Sequence, residues 1–265
     1  MILNMVGGGS AAGSGFPEFT YTGAHQLVDD GKVSGKQNWR LKLLTSGTLN
    51  FTKIDGSLDV FLAGGGGSGG PDGWSSGGGG GYTKNIIGLV PNIGSEYSIV
   101  IGAGGASVST GFVGNDGGIT SAFGSSALGG KRGQNRDVSP EGKGGDGGSG
   151  GGGQCGFGNI TGGNGSGGSD GGDGQGGGNG SLGGKGQGTT TRAFGDINGE
   201  LYCGGGSGAH SSNFGGTPGA GGGGEGVSNS NPSQGKNGVT NTGGGGGGMR
   251  GAGGSGIVII RNHRG

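Results

Sequence analysis

GGDGGSGGGGQCGFGNITGGNGSGGSDGGDGQGGGNGSLGGKGQG, residues 144–188, carries glycine at every third position from Gly144 to Gly186, with one exception at Asn159. That phase holds glycine at 14 of 15 positions and the other two phases at 7 and 5, so the glycine is placed and not merely abundant. Three is the period of the polyproline II helix, which turns once per three residues and makes no internal hydrogen bonds. Collagen shares that period but stiffens its strands with proline. The chain has only 6 prolines, and none falls in this stretch. A single rod of these residues would be about 130–140 Å long at roughly 3.1 Å per residue, whereas a compact chain of this size has a radius of gyration of about 18 Å. The stretch must fold back on itself or build a fibre. Its less glycine-dense spots, Phe157-Gly158-Asn159-Ile160-Thr161 and Ser181-Leu182, are the expected turns.

A bundle of such helices explains the glycine. Without a Cβ, neighbouring backbones approach closely enough for the N–H and C=O groups of one helix to bond to the next, with Cα–H···O contacts as a weaker addition. A helix with one neighbour needs glycine on one of its three faces, and a surrounded helix needs it on all three. The continuous runs at 64–67, 77–81, 150–153, 221–224 and 243–248 are therefore expected at the bundle centre. Gly/Ser composition ordinarily signals a flexible tract. The phasing, and the strand-like segments that bracket it, favour an ordered bundle.

Composition bounds the rest. Glycine is 89 of 265 residues, hydrophobic residues are 26% and charged residues 12%, too little apolar material for an ordinary core of this length. Net charge is zero, which offers no bulk attraction for nucleic acid. Arg250-Gly251 and Lys131-Arg132-Gly133 are isolated and form no arginine–glycine array. No run is long enough for membrane insertion, and residues 1–6 are too short for the apolar part of a secretory signal peptide. Cys155 and Cys203 lie at no metal spacing and read as free thiols, or else as a disulfide across the bundle.

In chain order, residues 1–15 read as a flexible N-terminal arm and 16–62 as a small β region. Residues 63–265 read as the glycine-rich bundle, closed by a C-terminal strand. The fold class is thus irregular and all-β: a polyglycine II bundle with short flanking strands and no expected α-helix. Strand signals are Phe19-Thr20-Tyr21-Thr22, Trp39-Arg40-Leu41-Lys42-Leu43, Leu49-Asn50-Phe51-Thr52 and Leu58-Asp59-Val60-Phe61-Leu62, with turn chemistry at Asp29-Asp30-Gly31, Ser46-Gly47 and Ile54-Asp55-Gly56-Ser57. Later strands are short: Tyr97-Ser98-Ile99-Val100-Ile101, Ile119-Thr120-Ser121-Ala122-Phe123 and Glu200-Leu201-Tyr202-Cys203. Ile257-Val258-Ile259-Ile260-Arg261 is too apolar to stand exposed and is expected to pair with 58–62.

Polar segments interrupt the glycine at 71–76, 107–116, 131–141, 189–198, 209–217 and 227–242, and each is expected at a helix-to-helix turn. Loops on a rigid scaffold tend to carry function. Large side chains among tiny ones are natural anchors. Trp74, Phe112, Arg132, Arg136, His210 and Phe214 are the candidates; the plainer reading is that they cover the bundle ends.

Catalytic spellings fail on specific grounds. Gly66-Gly67-Ser68-Gly69-Gly70 and its like match a nucleophile elbow only in letters, lacking the helix and histidine partner it needs. None of the Gly-Lys pairs is followed by Ser or Thr, so no phosphate-cradling loop is present. A dinucleotide fold lacks its βαβ unit. Calcium-binding nonapeptide repeats need an aspartate where Gly167 and Gly176 stand. His25, His210 and His263 have no ligand spacing. No enzyme activity, cofactor or metal is expected.

Three spellings together resemble the glycine-rich domain of bacteriophage tail proteins. They are Leu58-Asp59-Val60-Phe61-Leu62-Ala63 entering Gly64-Gly65-Gly66-Gly67, Tyr97-Ser98-Ile99-Val100-Ile101 entering Gly102-Ala103-Gly104-Gly105, and the closing Gly253-Gly254-Ser255-Gly256-Ile257-Val258-Ile259-Ile260-Arg261. The resemblance covers about residues 38–261. In the related tail-tip adhesins it implies a polyglycine II sandwich that displays loops to bacterial surface receptors, with a separate N-terminal part docked on the fibre. The expected role is therefore a virion-borne adhesin whose partner is a bacterial surface protein or glycan. Further partners would be a tail-fibre protein through the N-terminal region, or other copies of itself. The alternative is a self-assembling structural fibre or virion decoration without receptor specificity. A third reading is an ice-binding surface, against which the long irregular loops argue.

Overall fold

Apolar residues concentrate in a few short segments, and these build a β platform from which the glycine bundle rises. A computed structural model of the chain describes residues 2–5, 15–135, 137–138, 142–154, 173–175, 191–209, 216–227 and 234–264. The strands are β1 (Ile2–Met5), β2 (Glu18–Tyr21), β3 (His25–Val33), β4 (Lys36–Leu43), β5 (Gly47–Lys53), β6 (Leu58–Ala63), β7 (Thr83–Leu89), β8 (Glu96–Ile99), β9 (Thr120–Ala122), β10 (Ser125–Ala127) and β11 (Ile257–Asn262). The described residues hold no α-helix, only a short 3-10 turn at Ala193–Gly195.

A six-stranded antiparallel sheet runs β1-β3-β4-β11-β6-β7 and faces a three-stranded sheet, β2-β5-β8. Between them lies the larger core, with Phe19, Tyr21, Trp39, Leu41, Leu43, Leu49, Phe51, Val60, Leu62, Ile99, Val258 and Ile260. The opposite face of the six-stranded sheet is also covered. There Phe61, Ala63, Ile257 and Ile259 pack against Ala193, Tyr202 and Cys203. Burial on both faces is why residues 60–63 and 257–260 are unbroken apolar runs and not an alternation. β11 pairs with β6 as expected, Val258 opposite Leu62 and Ile260 opposite Val60, and it pairs on its other edge with β4.

Several expectations need correction. Asp29-Asp30-Gly31 is no turn. β3 runs through it with a register shift between Asp29 and Gly31, and the reversal comes at Ser34 (φ 50) and Gly35 (φ 81), a two-residue type I′ hairpin. The links after Leu43 and Lys53 are corners where the chain passes between the two sheets. Residues 16–62 do not make a separate unit, since β7, β8 and β11 complete the same sheets. Ile2–Met5, expected in a free arm, is the edge strand β1 on β3. Residues 191–199 are not a bundle turn: they lie on the second face, with Ala193 buried and the Phe194 ring 6.3 Å from that of Phe61.

From β6 the chain enters the bundle, where the period of three is written in hydrogen bonds. The N–H groups of Gly64, Gly67 and Gly70 donate to the carbonyls of Tyr82, Gly79 and Ser76. Those of Gly65 and Ser68 donate to Gly118 and Asn115, and those of Gly66 and Gly69 to Gly254 and Gly251. Every third residue returns to the same neighbour, three residues further along, as a threefold helix requires. The next pass repeats this: 76, 79 and 82 donate to 134, 131 and 128; 77 and 80 to 152 and 149; and 78 and 81 to 246 and 243. Cβ atoms are excluded by distance. One built on Gly66 would stand 2.1 Å from the Gly244 carbonyl oxygen, and one on Gly245 2.0 Å from that of Gly78.

The runs 64–67, 77–81, 150–153 and 243–248 are buried at the centre as expected, but 221–224 is not. Gly221 (φ 97) and Gly222 (φ 94) form a turn, and only Gly224 is buried. Residues 234–239, expected in a loop, are an outer pass with Gly235 and Gly238 turned inward, so glycine on one face suffices. The stretch 144–188 is described only at 144–154 and 173–175. It reverses at 147–149, within its glycine-dense part: Gly145 and Gly148 donate to Gly77 and Gly80, which donate in turn to Gly152 and Ser149. The two expected breaks further along lie outside the described residues. Cys203 is a free, fully buried thiol, which burial pushes up in pKa, and Cys155 lies outside the described residues.

A buried ion cluster ties the last strand to the platform. Arg261 sits directly opposite Asp59 in the β11–β6 pair, and its Nε donates to Asp59 Oδ2 at 3.1 Å. Arg261 Nη1 reaches Asp196 Oδ2 at 2.8 Å, and the guanidinium lies 4.0 Å from the Phe194 ring centroid. Asp59 also meets His263 Nδ1 at 2.7 Å and the Gly88 N–H at 3.1 Å. Burial pushes the Asp59 carboxyl up, but the hydrogen bonds from His263, Gly88 and Arg261 outweigh it and hold the group below the ordinary carboxylate range.

Gly245→Ala should destabilise the protein by about 3 kcal/mol or more in denaturant unfolding, because only backbone could move away. Gly124→Asn, at an exposed turn position with φ 72 and open space for a Cβ, should cost less than about 1 kcal/mol. Asp59→Ala should cost roughly 3 kcal/mol at neutral pH by leaving Arg261 half-paired. Because folding lowers the Asp59 pKa, its contribution is complete above the unfolded value and lost as pH falls through the folded one. The variant should therefore show a shallower acid limb in stability against pH.

Candidate functional site

Each pass of the bundle is about seven residues, or roughly 22 Å at the polyproline II rise, and every upward pass must turn at the end away from the platform. The segment 70–76 is the hub of that tip. Asp72 Oδ1 accepts the Trp74 N–H at 3.0 Å, a side-chain-closed turn. Ser75 bridges to Asn135, and its carbonyl accepts the Ala209 N–H at 2.9 Å. Asn135 N–H donates to the Phe112 carbonyl at 2.9 Å, and Val113 bridges to Gln134. Ser76 Oγ donates to the Lys143 carbonyl at 2.7 Å. Ser75 and Ser76 are fully buried, so this segment, expected at a helix-to-helix turn, has its C-terminal part inside the bundle.

The sequence candidates divide accordingly. Trp74, half-buried, and Phe112, 60% exposed, lie on tip loops that Asn135 joins. Arg132 lies about one helical turn below, on the flank. Its side chain is exposed and its N–H donates to Asp116 Oδ1 at 3.0 Å. Burial pushes the Asp116 carboxyl up, but Lys131 and that N–H more than compensate and hold it low. Arg136, His210 and Phe214 lie outside the described residues.

Sequence reasoning missed Met249 and Arg250. Both adopt left-handed backbone, at φ 67 and φ 74, in a turn across the tip. Such geometry costs a residue with a side chain on the order of 1–3 kcal/mol and persists only where its surroundings hold it. Here they do. Met249 N–H donates to Ser75 Oγ (2.9 Å) and Arg250 N–H to the Gly70 carbonyl (2.8 Å). The Met249 carbonyl accepts from Gly235, and the Arg250 carbonyl accepts from Ser107 Oγ and Gln234 Nε2, each at 2.7 Å. Arg250 Nε donates to the Pro71 carbonyl at 3.0 Å, and the guanidinium has no carboxylate partner among the described residues. The signal was present: between 243 and 256 only Met249 and Arg250 are neither glycine, alanine nor serine.

The tip therefore offers an aromatic surface, a partly exposed guanidinium and fixed backbone. Among the described residues there is no group of three or more His, Cys, Asp or Glu placed to hold a metal ion. No described helix is long and apolar enough to cross a membrane. Residues 44–263 match a family described as a glycine-rich domain. No curated protein matches the chain.

Ser75→Ala should strip the buried Met249 N–H of its acceptor and destabilise by about 1–3 kcal/mol. The loss should be local, with faster amide exchange at Met249 and Arg250 and unchanged protection at Gly78 and Gly245.

Proposed function

The chain belongs to the glycine-rich domain family, and from its sequence resemblance to phage tail proteins and the layout of its tip we propose that it is a bacteriophage tail adhesin. Carried on the virion, it holds its tip loops against a protein or glycan of the bacterial surface. The observation that supports this reading is the separation of parts. Hydrogen bonds between glycine backbones make the scaffold, and the large side chains Trp74, Phe112 and Arg250 gather on the turns at one end, with Met249 itself buried. Those turns are braced by hydrogen bonds, so little conformational entropy remains to be lost on binding. Phe112 supplies apolar contact area. Arg250 can face carboxylate, phosphate or sugar hydroxyls, with its backbone already fixed. Attachment to the particle falls to the platform end, through a tail-fibre protein or further copies of the chain.

Binding of labelled protein to bacterial cells tests the reading. Phe112→Ala combined with Arg250→Gly should weaken cell binding by at least about tenfold, a loss expected of interface anchors, while thermal unfolding stays cooperative. Full cell binding by the folded double variant would overturn the assignment to the tip. Concentration-dependent filaments that persist in that variant, with no cell binding by either protein, would replace the adhesin with a self-assembling structural protein.

A further inference from the structure

The pole opposite the tip contains a cavity of about 450 Å³, within the usual range of small-molecule sites. It opens at the mouth of the β sandwich, where the 54–57 corner passes between the sheets and the β3–β4 hairpin extends beyond them. Its walls include Lys32, Lys36, Trp39, Asp55, Ser57 and His263. The β3–β4 register puts Lys32 beside Gln37, on the same face as Trp39.

The polar groups fall into two sets. The amides are committed to structure: Gln37 Nε2 donates to the Asn38 carbonyl at 3.0 Å, and Asn262 Nδ2 donates to Asn38 Oδ1, also at 3.0 Å. Asn262 Oδ1 accepts the Trp39 N–H at 3.1 Å. The charged groups are not committed. Arg40, Lys42, Lys53, Lys131, Lys143, Lys236, Arg261 and Arg264 all have carboxylate partners, whereas among the described residues the exposed Lys32 and Lys36 have none and the exposed Asp55 has no cationic partner. His263 is fixed by its 2.7 Å contact with the ionised Asp59, to which Nδ1–H donates. The ring's remaining nitrogen, Nε2, accepts a hydrogen bond in the neutral imidazole and donates one in the imidazolium, so it pairs with a hydroxyl in either state.

We propose that this cavity binds a hydroxyl-bearing oxyanion, a sugar acid or a sugar phosphate. The lysine ammonium groups take the carboxylate or phosphate. His263 Nε2, Asp55 and Ser57 take hydroxyls, and Asp55 opposes a plain polyanion that offers no hydroxyl to it. The site stands apart from the adhesive tip, at the other end of the molecule, and does not depend on that reading.

Amide NMR titration of the full chain with glucuronate, glucose 6-phosphate, inorganic phosphate and glucose tests it. Saturable shifts of Gly56, Ser57 and His263 with glucuronate, glucose 6-phosphate or both, at concentrations at least tenfold below those needed for phosphate or glucose, are expected. Which of the two acts tells whether carboxylate or phosphate is the anion taken. Lys32→Ala with Lys36→Ala should weaken the response at least tenfold, while Lys84→Ala, an exposed lysine on β7, should leave it unchanged. No saturable shift, equal response to glucose or phosphate, or full binding by the double variant would each overturn the proposal.

Discussion

Backbone amides bonding between helices that have no side chains at their contacts are the constraint on which this protein is built. An α-helix or a sheet satisfies its N–H and C=O groups within itself or along one edge. A polyglycine II helix satisfies none internally and must donate and accept in three directions. Residues 64–70 donate in turn to the passes containing 76–82, 115–118 and 251–254. Residues 243–248 exchange bonds with the passes around 64–67, 78–81, 204–207, 224, 236 and 254, six neighbours in all. Such a lattice tolerates no Cβ at its centre: at Gly66, Gly244 and Gly245 a methyl would stand 2.0 to 2.1 Å from a carbonyl oxygen. Glycine costs the most backbone entropy to order. The arrangement is stable only because nearly every amide of a central pass is bonded and because the ends are fixed.

The platform does the fixing. β6 delivers the chain into the bundle and β11 receives it at the end, and the two lie side by side. Their alternate residues feed two separate cores, so the sheet is both the floor of the sandwich and the base of the bundle. Asp59 and Arg261 occupy the second face at the end far from the glycine, where the apolar cover of Tyr202 and Cys203 gives way to the 192–199 turn. A charge pair there is less a source of net stability than a register pin. Slipping β11 by one residue would move Arg261 into the apolar sandwich core.

What could be read from the sequence follows from this division. β6 was legible as a strand entering a glycine run and β11 as a segment too apolar to stand exposed, and the bundle centre was legible in the continuous runs 64–67, 77–81, 150–153 and 243–248. β7 was not, because Thr83-Lys84-Asn85-Ile86-Ile87-Gly88-Leu89 has no clean period: its Ile86 faces the sandwich core while Asn85 accepts the Phe194 N–H on the opposite face. Asp29-Asp30-Gly31 has turn composition, yet Asp30 is engaged by Arg40 and Arg264 and Gly31 absorbs a bulge, so tertiary ion pairs override local preference. Residues 234–239 looked too polar for a bundle, since an outer pass shows glycine on one face only. Trp74 and Phe112 were legible as anchors because any large side chain is conspicuous here. Met249 and Arg250 were passed over just after the longest unbroken glycine run, 243–248, where the unusual feature was that anything large was present at all.

That last pair shows how a glycine lattice carries large side chains at its tip. In an ordinary fold, changing surface side chains disturbs the core beneath them, because the same side chains often reach into it. Here the bundle's cohesion comes from main-chain groups, and a turn residue contributes chiefly its N–H and C=O. Met249 and Arg250 hold left-handed backbone through bonds from 70, 75, 107, 234 and 235, and most of those bonds use no atom of the two side chains. Arg250 Nε to Pro71 is the exception, one contact among several. Where a tip side chain is exposed, as at Phe112, its identity is therefore nearly decoupled from scaffold stability, whereas the buried Met249 and Ser75 belong to the scaffold. A surface of this kind can change what it touches without renegotiating how it folds.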